Sequence, residues 1–443
     1  MRIQLSEHFT YKKLLRFTFP SMVMMVFTSI YGVVDGVFVS NYVGADSFAA
    51  VNLIMPFLMI LGAIGFMIGS GGSALVAFTL GTGDGKKANR IFSLLIYVLI
   101  TLGAVFTVGG ILCLEPMSRF LGADEELLPA CGSYGRIVLT ALIPFMLQST
   151  FQSFLVTAER PSFGLYITIA AGVSNMVLDA LFIVVFKWGV VGAALATSIS
   201  QFIGGVIPLL YFAFPNKSKL RLCRTNLDLR ALFKACTNGS SEFMTNISMS
   251  VVTMLYNWQL MRLMGADGVA VFGVIMYVNF IFAAIYLGYS MGSAPIVGYH
   301  YGAGNRDELK GLLGKSIRLI AIMSIVLTGL AIALARPLAM VFVSYDPLLL
   351  KVTIHAFSIY SLSFLLSGYN IYASSFFTAL NDGFTSALIS FARTLIFEVA
   401  AVLILPLFMG VNGVWSAVIA AEVFAFILSM VCLVRNRGKY GYV

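Results

Sequence analysis

The chain has 443 residues, 59% of them hydrophobic and only 11% charged, with a mean hydropathy of +0.94 and a net charge of +9. Soluble domains carry about 25% charged residues, so a water-soluble globular protein is excluded. The basic residues lie in short clusters between apolar runs, the layout of a positive-inside membrane protein rather than of a nucleic-acid binder.

Runs of about 20 apolar residues recur along the whole length, each able to cross a ~30 Å hydrocarbon layer as a helix. They predict twelve transmembrane helices over 17–41, 51–79, 91–114, 134–157, 163–186, 190–213, 237–261, 270–299, 317–335, 352–379, 384–408 and 413–434. The first run is longer than the 7–15-residue core of a signal peptide and contains Asp35, so it reads as a retained helix. Pro20 lies either in its first turn, where proline is harmless, or deeper, where it permits a kink. After the second run, "IGSGGSALVAFTLGTGDGKKANRIF" fails as a phosphate loop. Gly81 and Gly85-Lys86 are separated by three residues instead of four, and Lys87 follows where Ser or Thr is needed. Gly69, Gly71, Gly72 and Ser73 read instead as close helix packing in lipid, and the segment from Gly81 to Lys87 as a turn.

The fifth run holds "NMVLDALF", with Asn175 and Asp179 one helical turn apart on one face. The sixth opens on "GVVGAALATSISQ", which contains Thr197. The longest linker, 215–236, separates an N-terminal unit of six spans (1–214) from a C-terminal one (237–443). The acids within the later spans are Glu242, Glu398 and Glu422, and the single intramembrane base is Arg393. Arg393 and Glu398 are five residues apart, poor spacing for a pair on one helical face. They are open to two readings, structural pairing with other helices or a part, with Glu242 and Glu422, in substrate or proton handling.

With the N-terminus inside, 21 of the 28 Lys and Arg fall on one side, from Arg2 and Lys12 through the cluster between Lys217 and Lys234 to Lys439. Six, among them Arg119 and Arg262, fall on the other. Both termini are therefore expected in the cytoplasm. The chain also repeats. Shifted by 221 residues, Gly44-Ala45-Asp46 meets Gly265-Ala266-Asp267, Gly71 meets Gly292, Gly81 and Gly83 meet Gly302 and Gly304, and Pro116 meets Pro337. Six spans per repeat is even, so the halves share orientation. The expected architecture is an all-α integral membrane protein of twelve transmembrane helices in two parallel six-helix bundles, N-lobe and C-lobe. A pseudo-two-fold axis along the membrane normal relates them, with a cavity between that suits alternating access.

A charge in the bilayer is expensive and marks function. At ~1.5 Å per residue, Asp35 lies ~9 Å from the outer end of its span, and Asp179 and Thr197 lie ~11 Å from theirs. Asp35, Asn175, Asp179 and Thr197 thus share a depth on three helices. Two carboxylates in a dry site cannot both ionise cheaply and titrate as a unit. Such a pair holds a proton until water or a cationic substrate arrives, and with the Asn and Thr oxygens it offers ligands for Na⁺. Their counterparts in the second half are Tyr256, Ile396, Ala400 and Val418, so the set is specific to one half. The five cysteines are scattered and the three histidines lack ligand spacing, giving no metal framework and no enzyme constellation at the lipid boundary. No cofactor is expected beyond the coupling ion, H⁺ or Na⁺.

Together with "SIYGVVDGVFVS" in the first span, these motifs resemble the multidrug and toxic compound extrusion (MATE) transporters, the bacterial branch above all, over essentially the whole chain. The resemblance implies an N-lobe cation site at Asp35, Asn175, Asp179 and Thr197, and bending of helix one near Pro20. It implies export of cationic and amphipathic drugs in exchange for H⁺ or Na⁺. Some relatives carry a second, C-lobe cation site of a seventh-helix Glu and a tenth-helix Asp. Glu242 matches the Glu, but the tenth span has serines and Asn370 and no Asp, which favours the N-lobe. The expectation is a multi-pass antiporter of the bacterial inner membrane, acting as a monomer on small drugs and contacting lipid but no nucleic acid. The alternative is a flippase for a lipid-linked oligosaccharide, against which Arg393 stands as the single intramembrane base.

Overall fold

A computed structural model describes residues 3–343 and 346–442, apart from the side chains of residues 45–47 and 341. Arg2 and the Asp46 side chain lie outside the described residues. The described chain is helical throughout, without strands. Its first half comprises α1 (Tyr11–Tyr42), α2 (Ala45–Gly81), α3 (Gly85–Phe120), α4 (Leu128–Thr140), α5 (Leu142–Thr157), α6 (Pro161–Asp179) and α7 (Gly189–Ala213). Its second half comprises α8 (Leu229–Met264), α9 (Ala266–Gly302), α10 (Arg306–Val343), α11 (Pro347–Ser361), α12 (Phe364–Ala379), α13 (Gly383–Phe391), α14 (Glu398–Met409) and α15 (Val411–Tyr440). Because α8 starts at Leu229, the last residues of the 215–236 segment are helical.

Among the described residues, nine helices are long and apolar enough to span a bilayer, and the bent pairs α4–α5 and α11–α12 bring the number to eleven. The twelfth, α8, has 36 residues, ample length, but carries Asn238, Glu242, Thr245 and Asn246 along its course. Its polar face is packed inside the protein: Asn238 and Ser241 are 1% and 2% exposed. The molecule is thus a multi-pass membrane protein of two six-helix lobes.

The predicted continuous spans four and ten are each broken. α4 and α5 meet at 54° and α11 and α12 at 46°. In the first pair Pro144 cannot donate to the Thr140 carbonyl, which ends the ladder there. The second has no proline at its break; Pro347 stands at the far end of α11. The Ser361 and Ser367 hydroxyls instead bond back to the Phe357 and Ser363 carbonyls, at 2.6 and 2.9 Å, a habit that bends helices. Ala141 and Leu362, the residues at the two breaks, are 221 apart, so the break repeats with the sequence.

The lobes meet through two symmetry-related helix pairs, α1 with α9 and α2 with α8, and through α2 with its own counterpart α9. Glycines make this possible. A Cβ on Gly71 would collide with the Ala235 carbonyl and the Gly239 backbone, and one on Gly292 with Thr18. Gly81 lies on the Tyr299 carbonyl and Gly302 on that of Phe78. Position 71 maps onto 292, 81 onto 302 and 78 onto 299 at the repeat offset, so the seam is itself two-fold. The reading of Gly71 as a close-packing residue is supported. Gly65 and Gly69 do the same within the lobe, against Met146 and Thr150 of α5.

Both chain ends lie on one face, beside this seam. The Leu5 N–H donates to Glu159 at 2.9 Å and the Phe9 N–H to Glu308 at 2.9 Å. Leu5 and Phe9 are fully buried, so the N-terminal segment bridges a loop of the first half and α10 of the second. At the other end of the chain, the Tyr440 hydroxyl donates to Asp382 at 2.5 Å.

Candidate functional site

Three helices place the predicted N-lobe set. α1 carries Asp35, α6 ends on Asp179 with Asn175 one turn earlier, and α7 carries Thr197. Directly after Asp179 the helix loosens into a π-turn over Ala180–Val185, a distortion frequent at functional sites. The structure brings all four residues together: Asp35 lies within electrostatic reach of Asp179, Asn175 and Thr197. The Thr197 hydroxyl donates to Asp35 Oδ1 at 3.5 Å.

What distinguishes the site is unmet bonding capacity. Asn175 and Asp179 are 1% and 0% exposed, and both polar side-chain atoms of each have no hydrogen-bond partner among the described residues. Buried polar atoms are nearly always satisfied, so four orphans on two adjacent side chains, with the Asp35 carboxyl within reach, are unusual. Asp35 is half-buried. Beside it a cavity of about 50 Å³ is lined by Tyr134, Thr197, Gln201, Met55 and Met59. Tyr134, 1% exposed, stands within reach of both carboxylates. Nothing in its flanking sequence marks it, because its role comes from α4 packing on α7. The oxygen-rich, apolar-walled group can hold a proton between two carboxylates or ligate a small hard cation.

Pro20 lies nine residues into α1, so the first-turn reading is replaced by the interior one. It removes one backbone bond there, about 22 Å along the axis from Asp35 at 1.5 Å per residue.

The C-lobe residues divide. Glu422 of α15 is 3% exposed and fully engaged. Its Oε1 accepts from Arg393 Nε at 2.9 Å, Arg393 Nη2 at 2.7 Å and the Ser367 hydroxyl at 2.9 Å, and its Oε2 from Asn370 at 2.6 Å. The Ser429 hydroxyl in turn donates to Asn370 Oδ1 at 3.1 Å. Arg393 is thus paired with another helix, and Asn370 of α12 serves Glu422. Glu398 is different. It lines a cavity of about 190 Å³ together with Arg393 and Tyr256. The five-residue spacing was expected to separate Arg393 from Glu398. A π-turn over Ala392–Phe397 widens the helix between them and brings both onto the same cavity. Glu242 on α8 is half-buried and within electrostatic reach of Arg393. No group of three or more His, Cys, Asp or Glu suited to a metal occurs among the described residues.

Comparison with known proteins agrees with this architecture. Multidrug export protein MepA of Staphylococcus haemolyticus (strain JCSC1435) is 24% identical over 437 residues, covering 97% of this chain and 95% of the relative. MepA of Staphylococcus aureus (strain NCTC 8325 / PS 47) is 23% identical over 433 residues, covering 96% and 94%. Among solved structures, an outward-facing multidrug resistance MATE family transporter of the MOP superfamily superposes with a TM-score of 0.93 at 22% identity over 98% of both chains. The MatE family profile matches residues 20–181 and 243–403. Those two segments start and end within two residues of the same 221-residue offset, one in each lobe, and the chain belongs to the MatE family.

Proposed function

We propose that this protein is a cation-coupled multidrug efflux antiporter. It exports organic cations and amphipathic compounds by alternating access, in exchange for H⁺ or Na⁺. The observation that carries the reading is the buried group of Asp35 and Asp179 with the orphaned amide of Asn175. Two carboxylates from different helices, walled by apolar side chains, bind one positive charge far better than none. Either a shared proton or a Na⁺ between their oxygens meets the demand. When the lobes open outward, the pair takes up its cation. That neutralisation lowers the site's affinity for a cationic drug and favours the return. The relatives named for multidrug export support the substrate class.

In this reading the plasma membrane of a bacterium holds the protein as a monomer. The face with both chain ends lies in the cytoplasm, as the Lys and Arg bias requires. Residues 1–214 and 237–443 act as the two rocking units and 215–236 as the link, with no cofactor but the coupling ion. Lipid-linked oligosaccharide flipping finds less support, because Arg393 is held by Glu422 and no basic cluster is left for a diphosphate.

The test is purified protein in proteoliposomes with a pH gradient or a Na⁺ gradient imposed separately. One of the two gradients is expected to drive uphill movement of a fluorescent organic cation, and adding that cation to drive counterflow of the same ion. Accumulation that ignores both gradients sinks the antiport reading.

A further inference from the structure

Each half of the chain opens on a segment that crosses to the third helix of the other half. Residues 224–228 of the linker correspond to residues 3–7 at the repeat offset. The two crossings are sealed differently. On α10, Glu308 accepts the Phe9 N–H at 2.9 Å, Lys315 donates to the Phe9 carbonyl at 2.6 Å, and Leu5 and Phe9 are fully buried. On α3, the linker is tied by the Arg221 N–H to Asn89 at 2.8 Å and by the Cys223 N–H to Ser93 at 2.8 Å. Past Cys223 a cavity of about 670 Å³ opens between the linker and the start of α3. Lys86, Lys87, Arg90 and Arg224 line it together. Their side chains make no hydrogen bond or ion pair among the described residues. The two carboxylates at its edge are turned onto their own helices. Asp84 accepts the Lys87 N–H at 2.9 Å and Asp228 the Ala231 N–H at 3.0 Å. Where the first half has Lys86, Lys87 and Arg90, the second has Asp307, Glu308 and Gly311, and Arg224 corresponds to Ile3. A general bias of basic residues to one side does not require four unpaired cations, from two distant stretches of chain, around one cavity.

We propose that this cavity binds the phosphate of an anionic phospholipid headgroup. Four like charges around open space repel one another, and a phosphate accepts from Lys and Arg side chains at once. The bound phosphate is the counter-charge that Glu308 supplies at the other crossing, and it joins the linker to α3. The surroundings favour a lipid over a soluble phosphate. Buried Ile91 and Leu94 give the cavity an apolar floor. Leu227, Leu229 and Phe233 follow in the chain and are exposed, the last two one turn apart on one face of α8. Exposed apolar side chains beside a basic pocket are what a chain at the headgroup–acyl boundary presents. The face is the one with both chain ends: Lys219 of the linker pairs at 2.7 Å with Glu159, which also accepts the Leu5 N–H. The cavity shares no lining residue with the space beside Tyr134 or the one beside Glu398, so the lipid is a bound component and not cargo. The inference rests on the orientation proposed above only for which leaflet supplies the lipid.

The test titrates two probes with the same tail-linked fluorophore, phosphatidylglycerol and phosphatidylcholine, into the delipidated full-length protein in neutral detergent. Phosphatidylglycerol is expected to bind saturably and tighter than phosphatidylcholine. K86Q and R224Q are each expected to weaken it about 5-fold, the worth of one basic residue at an anionic lipid surface, and to leave phosphatidylcholine unchanged. Both side chains are exposed and unpartnered, so the fold does not depend on them. K310Q removes an exposed cation of α10 outside the cavity and is expected to change neither affinity. Equal affinities for the two lipids, or a loss in K310Q that matches those in K86Q and R224Q, overturn the proposal. Glycerol 3-phosphate, equimolar with the probe, is expected to leave the lipid bound. Displacement by it assigns the site to a soluble phosphate and overturns the lipid reading. The antiport reading is tested apart from this one: D35N abolishes gradient-driven transport in that reading and leaves the lipid affinity in place.

Discussion

The Thr197 hydroxyl reaches Asp35 Oδ1 across 3.5 Å, joining α7 to α1 at the outer limit of a hydrogen bond. Behind this weak link stand Asn175 and Asp179, buried and unpartnered. A site built for stability alone closes such gaps, since an unsatisfied buried group costs about 1–3 kcal/mol. In the proposed coupling reading, the looseness suits a reversible cation site, because the ion must leave as readily as it enters.

If Asp35 and Asp179 hold one cation jointly, neither works alone. Asp35→Asn and Asp179→Asn are each expected to lower gradient-driven drug export about 10-fold or more, the loss of one charged contact. The double variant is expected to fall no further than the worse single one, because the pair acts as a unit. Initial export rates from proteoliposomes read this out. Losses that multiply would falsify a shared site.

Glu422→Gln leaves Arg393 without its counter-charge among buried helices. The expected cost is about 3 kcal/mol, near the low end for a broken buried pair, since Arg393 keeps 21% of its side-chain exposure. Replacing both residues by apolar ones of similar size, E422L with R393M, is expected to recover most of the loss. Thermal unfolding in detergent compares the three. A double variant no better than E422Q contradicts this account.

Gly71 has no room for a side chain against Ala235 and Gly239. Gly71→Val is expected to hold the lobes apart at the face carrying both chain ends. Cys236, half-buried beside the contact, reports the opening. In a chain with Cys236 as its one cysteine, maleimide labelling is expected to speed up severalfold relative to Gly71. Unchanged labelling argues that the seam is not tight.

Asp382 lies in the loop before α13, and several contacts act on it. Burial pushes its carboxyl up, but the Tyr440 hydroxyl, the Thr385 N–H and hydroxyl, and Lys439 outweigh that and hold it below the ordinary carboxylate range. A lowered pKa means that stability is present above the unfolded value of about 3.9 and is lost as pH falls through the folded one. Asp382→Asn is therefore expected to lower the melting temperature at pH 7, with the gap to the unaltered protein closing as the pH falls below about 4. A gap that stays constant with pH removes the charge from the explanation.

Much of the fold is legible in single residues and their spacing. Apolar length is a local property, so eleven spans emerge from composition alone, counting each bent pair as one. The twelfth, α8, fails a strict composition test because of its polar residues, although the run 237–261 still reads as a span along the sequence. Asp35, Asn175, Asp179 and Thr197 could be grouped because helical rise converts residue number into depth. The position of Arg393 relative to Glu398 could not be found in this way. Its spacing from Glu398 assumes a regular helix, and the π-turn over Ala392–Phe397 breaks that assumption. The bend between α11 and α12 is hidden for a similar reason, since serines rather than a proline accompany it.

By itself the sequence determined that the chain is an all-helical membrane protein, duplicated, with the set of Asp35, Asn175, Asp179 and Thr197 in one half only. Hydrophobic length, basic-residue bias and the 221-residue offset are each written along one dimension. Only the tertiary structure decided which charges are spent and which are free. Glu422 and Glu398 look alike as intramembrane acids, yet the first is closed off by four hydrogen bonds from three residues and the second lines a cavity beside Tyr256. That difference depends on which helices pack side by side and on where a helix loosens by one residue per turn. Both are settled by contacts between residues far apart in the chain.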